Sequence, residues 1–230
     1  MHPRTLLILS GTLVAAIWQL PYGRHILYPF TLLATYAHEM GHGLSALLVG
    51  AEFDHLLLHA DGSGMAVWHG NPGPAAKALV AAGGLLGPTL AGICILLLSR
   101  SPRWARWIMA GLAVLMAASV VLWSRNVFGA TFLLASAATL ALCARLLPSV
   151  AAAFVLHLMA VLLCLSWFTD LDYMFSAYAL VNGVRVPSDS AAMAQALWLP
   201  YWFWGGAVAV FSLAMVVLGI GWVSRTPRNA

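Results

Sequence analysis

The residues that could do chemistry together are His38-Glu39-Met40-Gly41-His42, set inside an apolar run from Ile26 to Ala51. Two histidines four apart lie on one face of a helix, about one turn from each other. That spacing lets both imidazoles reach a single zinc ion, and it lets Glu39 reach a water on the same metal. The chemistry is hydrolytic: the metal lowers the pKa of the water to about 7 and the carboxylate takes its proton as general base. The chain has only two glutamates, Glu39 and Glu52, so an ionised group here is not background. At membrane depth such a triplet is costly unless it serves a purpose. The plainer alternative is a polar triplet that only ties neighbouring helices together.

A catalytic zinc takes three protein ligands and keeps one position open. His38 and His42 supply two, and the residues leave the third open among Asp170, Asp172 and His157. A third imidazole is chemically reasonable, but His157 lies in the middle of an apolar run, where a hydrogen bond to a backbone carbonyl serves it as well. A carboxylate would partly neutralise the metal. Asp170 and Asp172 stand out because they close an apolar run in a chain with only five aspartates. Further along, Ser188 or Asp189 reads as the N-cap of a short helix, a structural role.

The elements that must position these groups follow from hydropathy. The 230 residues are 62% apolar and 8% charged, and mean hydropathy is +0.90. This excludes a soluble domain and predicts an all-α polytopic membrane protein of about six to seven transmembrane helices. The spans run about Thr5–Leu20, Ile26–Val49, Ala75–Leu98, Trp104–Trp123, Val127–Leu147, Val150–Phe168 and Leu197–Val223. The first reads as an uncleaved span, since no small-x-small cleavage site precedes Pro21. Between the second and third, Phe53–His59 and Met65–Trp68 read as strands about an Asp61-Gly62-Ser63-Gly64 turn, a small β-hairpin directly after the metal-binding helix. Its free edge can pair with an extended peptide. His55 and His59 then face solvent. Asn182–Ser190 reads as a polar loop.

The net charge of +4 comes mostly from basic residues between apolar runs, which are topology signals and not a nucleic-acid surface. Cys94, Cys143 and Cys164 all fall within apolar segments and imply no disulfide framework. Gly83-Gly84-Leu85-Leu86-Gly87-Pro88 suits close packing of one helix on another.

His38-Glu39-Met40-Gly41-His42-Gly43 in a membrane helix, followed by the Asp61–Gly64 turn and the Gly87-Pro88 helix, resembles the site-2 protease family of intramembrane zinc metalloproteases. The likeness is to the compact bacterial branch without a PDZ domain, and covers residues 26–98 well and 165–205 loosely. It implies one transmembrane metalloprotease domain over 1–230, with motif helix, hairpin and Gly-Pro helix in 26–98 and the third-ligand region and last span in 150–223. It implies a zinc metalloendopeptidase cleaving membrane-embedded protein substrates in the lipid bilayer, in a bacterial inner membrane. It also implies a third zinc ligand from an aspartate on a later helix, in a Leu-Asp-Gly setting. This chain has Leu171-Asp172 without the glycine, and the role is carried to Asp170 first and Asp172 second. The expected site is therefore Glu39 as base with His38, His42 and Asp170 on Zn2+. The alternative is a non-proteolytic membrane metal-binding or scaffold protein that keeps the same fold.

Overall fold

Lipid offers no partner to a bare peptide group, so a long apolar run must close its own backbone hydrogen bonds as a helix. The computed structural model describes residues 2–224, and its helices follow the apolar runs within a few residues. In chain order they are α1 (Pro3–Trp18) and α2 (Gly23–Leu48), then strands β1 (Glu52–Leu58) and β2 (Gly64–His69). There follow α3 (Pro74–Leu98), α4 (Pro102–Leu122), α5 (Val127–Leu146), α6 (Ser149–Thr169) and the single turn α7 (Leu171–Met174). The chain ends on β3 (Tyr178–Val181), β4 (Val184–Pro187), α8 (Asp189–Leu197) and α9 (Tyr201–Ser224). Five helices, α3, α4, α5, α6 and α9, are long and apolar enough to cross a membrane, and α1 is apolar but shorter. α2 has 26 residues and carries the polar motif. The protein is an all-α polytopic membrane protein with two small antiparallel hairpins.

α2 packs on α3 through glycine. A Cβ at Gly41 would overlap the Gly83 carbonyl, one at Gly83 would overlap the Ser45 side chain, and one at Gly87 would press on the Ala37 carbonyl. Small residues let helix backbones approach where no hydrophobic force separates protein from lipid. On its other side α3 meets α6, where Gly92 lies against Ala160 and Cys164. The buried cluster around Met40, Leu96, Met109, Leu133 and Leu156 joins α2 to α3, α4, α5 and α6. Within it the Tyr36 hydroxyl and Ser119 Oγ pair at 2.7 Å.

The β1–β2 hairpin turns back along α2. Phe53 packs against Gly43, Gly64 against Glu39 and Thr35, and Thr35 donates to the Gly62 carbonyl at 2.7 Å. Tyr28 donates to the Ala60 carbonyl at 2.7 Å. From Gly43 to Tyr28 is about 22 Å of helix, so the hairpin reaches deep beside the motif. The outer edge of β1 is taken up: Leu56 N–H donates to the Trp123 carbonyl at 2.9 Å, and Asn126 bonds both the N–H and the carbonyl of Leu58. The β2 side borders the cavity described below.

Residues 182–190 do not form the expected polar loop. Val181 and Val184 pair across a two-residue turn, Asn182-Gly183, with φ of 48° and 76°. Positive φ at both positions gives the turn a twist that matches paired strands, and Asn-Gly is the dipeptide that tolerates it.

The glycine contact yields a test. Gly41→Ala forces α2 from α3 and is expected to cost about 1–3 kcal/mol, as overpacking does. Gly111→Ala, a mid-helix glycine with nothing within 4 Å of the added carbon, is expected to gain about 0.5–1 kcal/mol from helix propensity alone. Thermal unfolding of both variants in detergent checks the contrast.

Candidate metal centre

Near the middle of α2, the helix period turns His38, Glu39 and His42 toward the hairpin and α8. The Nε2 atoms of His38 and His42 stand 3.1 Å apart. Two imidazole nitrogens held this close need a shared partner. Asp189 supplies one: its Oδ2 lies 3.0 Å from His38 Nε2 and its Oδ1 3.2 Å from His42 Nε2. Among the described residues, His38, His42 and Asp189 are the group that could hold a metal ion. Ligands around a tetrahedral zinc with bonds of 2.0–2.1 Å stand about 3.3–3.4 Å apart. The histidine nitrogens stand 3.1 Å apart, each with its own oxygen of the Asp189 carboxylate at 3.0 or 3.2 Å, and one ligand atom from each residue lies within 4.8 Å of the others.

The surroundings orient the donors. His42 Nδ1 lies 2.9 Å from the Val80 carbonyl oxygen. A carbonyl only accepts, so Nδ1 carries the proton and the Nε2 lone pair points inward, as metal-binding imidazoles require. Gly84 makes room for this ring, since a Cβ there would overlap it. Glu39 is 5% exposed, with the Ala66 backbone N–H turned toward its carboxylate. Gly64 lies directly against it, so β2 passes the glutamate at backbone distance.

Asp189 is the first residue of α8. Ser188 is the cap: its Oγ accepts from the Ala191 N–H at 3.1 Å. The capping task falls to Ser188 alone, and the Asp189 carboxylate is free to face α2. Burial acts to raise that carboxyl, but His42 and His38 outweigh it and hold it well below the ordinary value. Tyr173, on α7, donates from its hydroxyl to Asp189 Oδ2 at 2.7 Å and accepts from the Asp189 N–H at 3.1 Å. Burial and the neighbouring Asp189 carboxylate push the Tyr173 phenol well above its ordinary pKa, so it remains a donor.

The remaining candidates lie elsewhere. Asp170 lines the same cavity but stands outside the three-residue group. Its carboxyl is raised by burial, and its partner is the Thr169 hydroxyl at 3.4 Å. The residue that the structure brings to His38 and His42 is not Asp170 but Asp189, which the β3–β4 hairpin returns to α2. Asp172 is likewise outside the group. His157 is fully buried in α6, with Nδ1 2.8 Å from the Ala153 carbonyl. His55 lies on a strand, paired with Asp54.

The centre opens on a cavity of about 880 Å3. Thr31, Ala34 and Thr35 of α2 form one wall, Leu162, Leu165 and Ser166 of α6 another. Gly64, Met65, Ala66 and Trp68 of β2 face it, and Leu180, Val181 and Val186 of the second hairpin close it from the far side. The hairpin tips meet where Asn182 N–H donates to Ser63 Oγ at 3.1 Å. A slot with a strand along it, and a buried carboxylate beside three residues that could hold a metal, has the shape of a site for an extended chain.

No curated protein and no solved structure matches the chain significantly. A family model does: the one described as Peptidase M50B-like matches residues 9–219. Almost the whole chain is covered, from α1 to α9 and through both hairpins. The protein is an integral membrane protein and belongs to the Peptidase M50B-like family.

Proposed function

We propose that this chain is a single-domain intramembrane zinc metalloprotease in which His38, His42 and Asp189 hold the metal and Glu39 is the general base. The observation that carries the reading is the convergence of three ligand atoms beside a buried glutamate, at the head of a peptide-sized cavity. When bound, zinc supplies a Lewis acid that polarises a peptide carbonyl and brings the pKa of water to about 7. Glu39 takes the proton of the attacking water and delivers it to the amine nitrogen as the C–N bond breaks. His42, fixed by the Val80 carbonyl, keeps its lone pair on the metal. Tyr36, outside the slot, is paired with Ser119 and takes no part.

The substrate is a membrane-embedded segment, locally unwound. A helical peptide bond is shielded by its own hydrogen bonds, whereas an extended one can lie along β2, where main-chain hydrogen bonds supply affinity. The apolar walls from α2 and α6 match such a segment. A bacterial inner membrane is the proposed location.

Zinc content of purified protein in detergent tests the ligand set. Wild type is expected to hold close to one zinc per chain. His42→Ala and Asp189→Asn are expected to lose it, and Asp170→Asn to keep it. Zinc lost from Asp170→Asn and retained by Asp189→Asn would return the third ligand to α6. The chemistry has its own test. Glu39→Gln is expected to keep the metal and to lose at least about 100-fold in cleavage of a membrane-embedded reporter, the lower end of general-base effects. Cleavage retained in that variant would remove Glu39 from the mechanism, and with metal bound but no cleavage in wild type the scaffold alternative would hold.

A further inference from the structure

The turn α7 follows directly on Asp170, where the sequence placed a metal ligand, and both Asp170 and Asp172 stand outside the group that could hold a metal. It reaches the centre nonetheless. Tyr173 touches the triad in two ways: its hydroxyl bridges the side chain and the backbone of Asp189, and its ring meets the His38 ring edge-on with centroids 6.0 Å apart. We infer that Tyr173 is the positioning residue of the metal centre, fixing the Asp189 carboxylate in the orientation that turns its two oxygens to His38 and His42. The inference rests on the ligand set proposed above.

The geometry supports this on three counts. A carboxylate on the first residue of a short helix has free rotation about χ1 and χ2 unless something outside the helix holds it. Ser188 fixes the helix start but not the side chain. The 2.7 Å bond from the phenol occupies one carboxylate oxygen, and the 3.1 Å bond from the Asp189 N–H fixes the phenol in turn. The two bonds form a closed ring in which the backbone N–H holds the phenol where its proton meets Oδ2. The backbone beneath is also pinned: Ser190 Oγ donates to the Met174 carbonyl at 2.6 Å, and Ser188 Oγ to that of Ser176. α7 and the start of α8 are therefore tied by these hydrogen bonds, and Tyr173 is the α7 side chain that bonds to Asp189. Partners of metal-bound carboxylates commonly change affinity by about 10–100-fold when removed.

The test is zinc affinity of the full chain in detergent, read by competition with a chelator, for wild type, Tyr173→Phe, Asp189→Asn and the double variant. Tyr173→Phe is expected to weaken zinc binding by about 10–100-fold. In the Asp189→Asn background, read on the weak zinc binding that the two histidines retain at raised zinc concentration, the same change is expected to add nothing, because its effect passes through that carboxylate. A spectroscopic readout separates positioning from general loosening. With Co2+ at full occupancy, the visible d–d bands of Tyr173→Phe are expected to shift from wild type as the carboxylate reorients. Tyr178→Phe, a tyrosine stacked on Arg185, is the control for losing any phenol. Equal zinc affinity in wild type and Tyr173→Phe overturns the inference and leaves the ligand set intact. An equal further loss in the Asp189→Asn background also overturns it, since Tyr173 would then act on the fold. A wild type that binds no zinc fails the ligand set, and the inference with it.

Discussion

In a medium without water every polar atom needs a partner from the chain itself, and that constraint decides where the non-helical parts of this protein lie. Strands and turns are tolerated at such depth only where they are covered by protein or line a cavity. The first hairpin satisfies this on both sides. Its outer strand is closed by the α4–α5 connection through Trp123, Arg125 and Asn126, and its turn is held by Tyr28 and Thr35 of α2. What is left is the β2 side, facing the cavity. The hydrogen-bonding capacity of the hairpin is thereby directed to one place, beside Glu39.

The helix packing answers the same demand. A triad needs α2 and α3 close enough for the Val80 carbonyl to reach His42, and side chains of ordinary size on both helices would keep them apart. Gly41, Gly83, Gly84 and Gly87 remove that obstacle over two turns. The glycines thus shape the centre without adding a side chain to it. They bring a backbone carbonyl to an imidazole, and the carbonyl selects the tautomer.

Much of this was legible in the residues. The long helices, the motif helix and the first hairpin follow from hydropathy and from the Asp61–Gly64 turn, because length and period are local properties. Three of the four groups at the centre, His38, Glu39 and His42, sit in one turn and are visible for the same reason. The fourth was not. Asp189 looked like a cap because Ser-Asp before a short helix is a capping sequence, and nothing local says which of two adjacent residues caps and which is free. The missed signal was Asn182-Gly183 between Tyr178–Val181 and Val184–Pro187. Read as a hairpin, it returns the chain to its starting point and brings residue 189 back to α7. Asp170 and Asp172 stand out because they close an apolar run, and the resemblance carries the ligand role to Asp170 first, but ending a run places a residue at a depth, not on a face.

The second hairpin leaves and rejoins the bundle at one point. Ser188 N–H bonds the Ala177 carbonyl and Ser188 Oγ that of Ser176, so the eleven-residue excursion is stapled at its base. A stapled excursion insulates the ligand from whatever happens at the tip. Closing a longer loop on the same base costs only about 0.6 kcal/mol for each doubling of length. The wall of the cavity that this hairpin forms can therefore lengthen, shorten or change its side chains while Asp189 stays in register with the two histidines. The fold thus separates the placement of Asp189 from the make-up of the cavity wall, and a change in the second need not disturb the first.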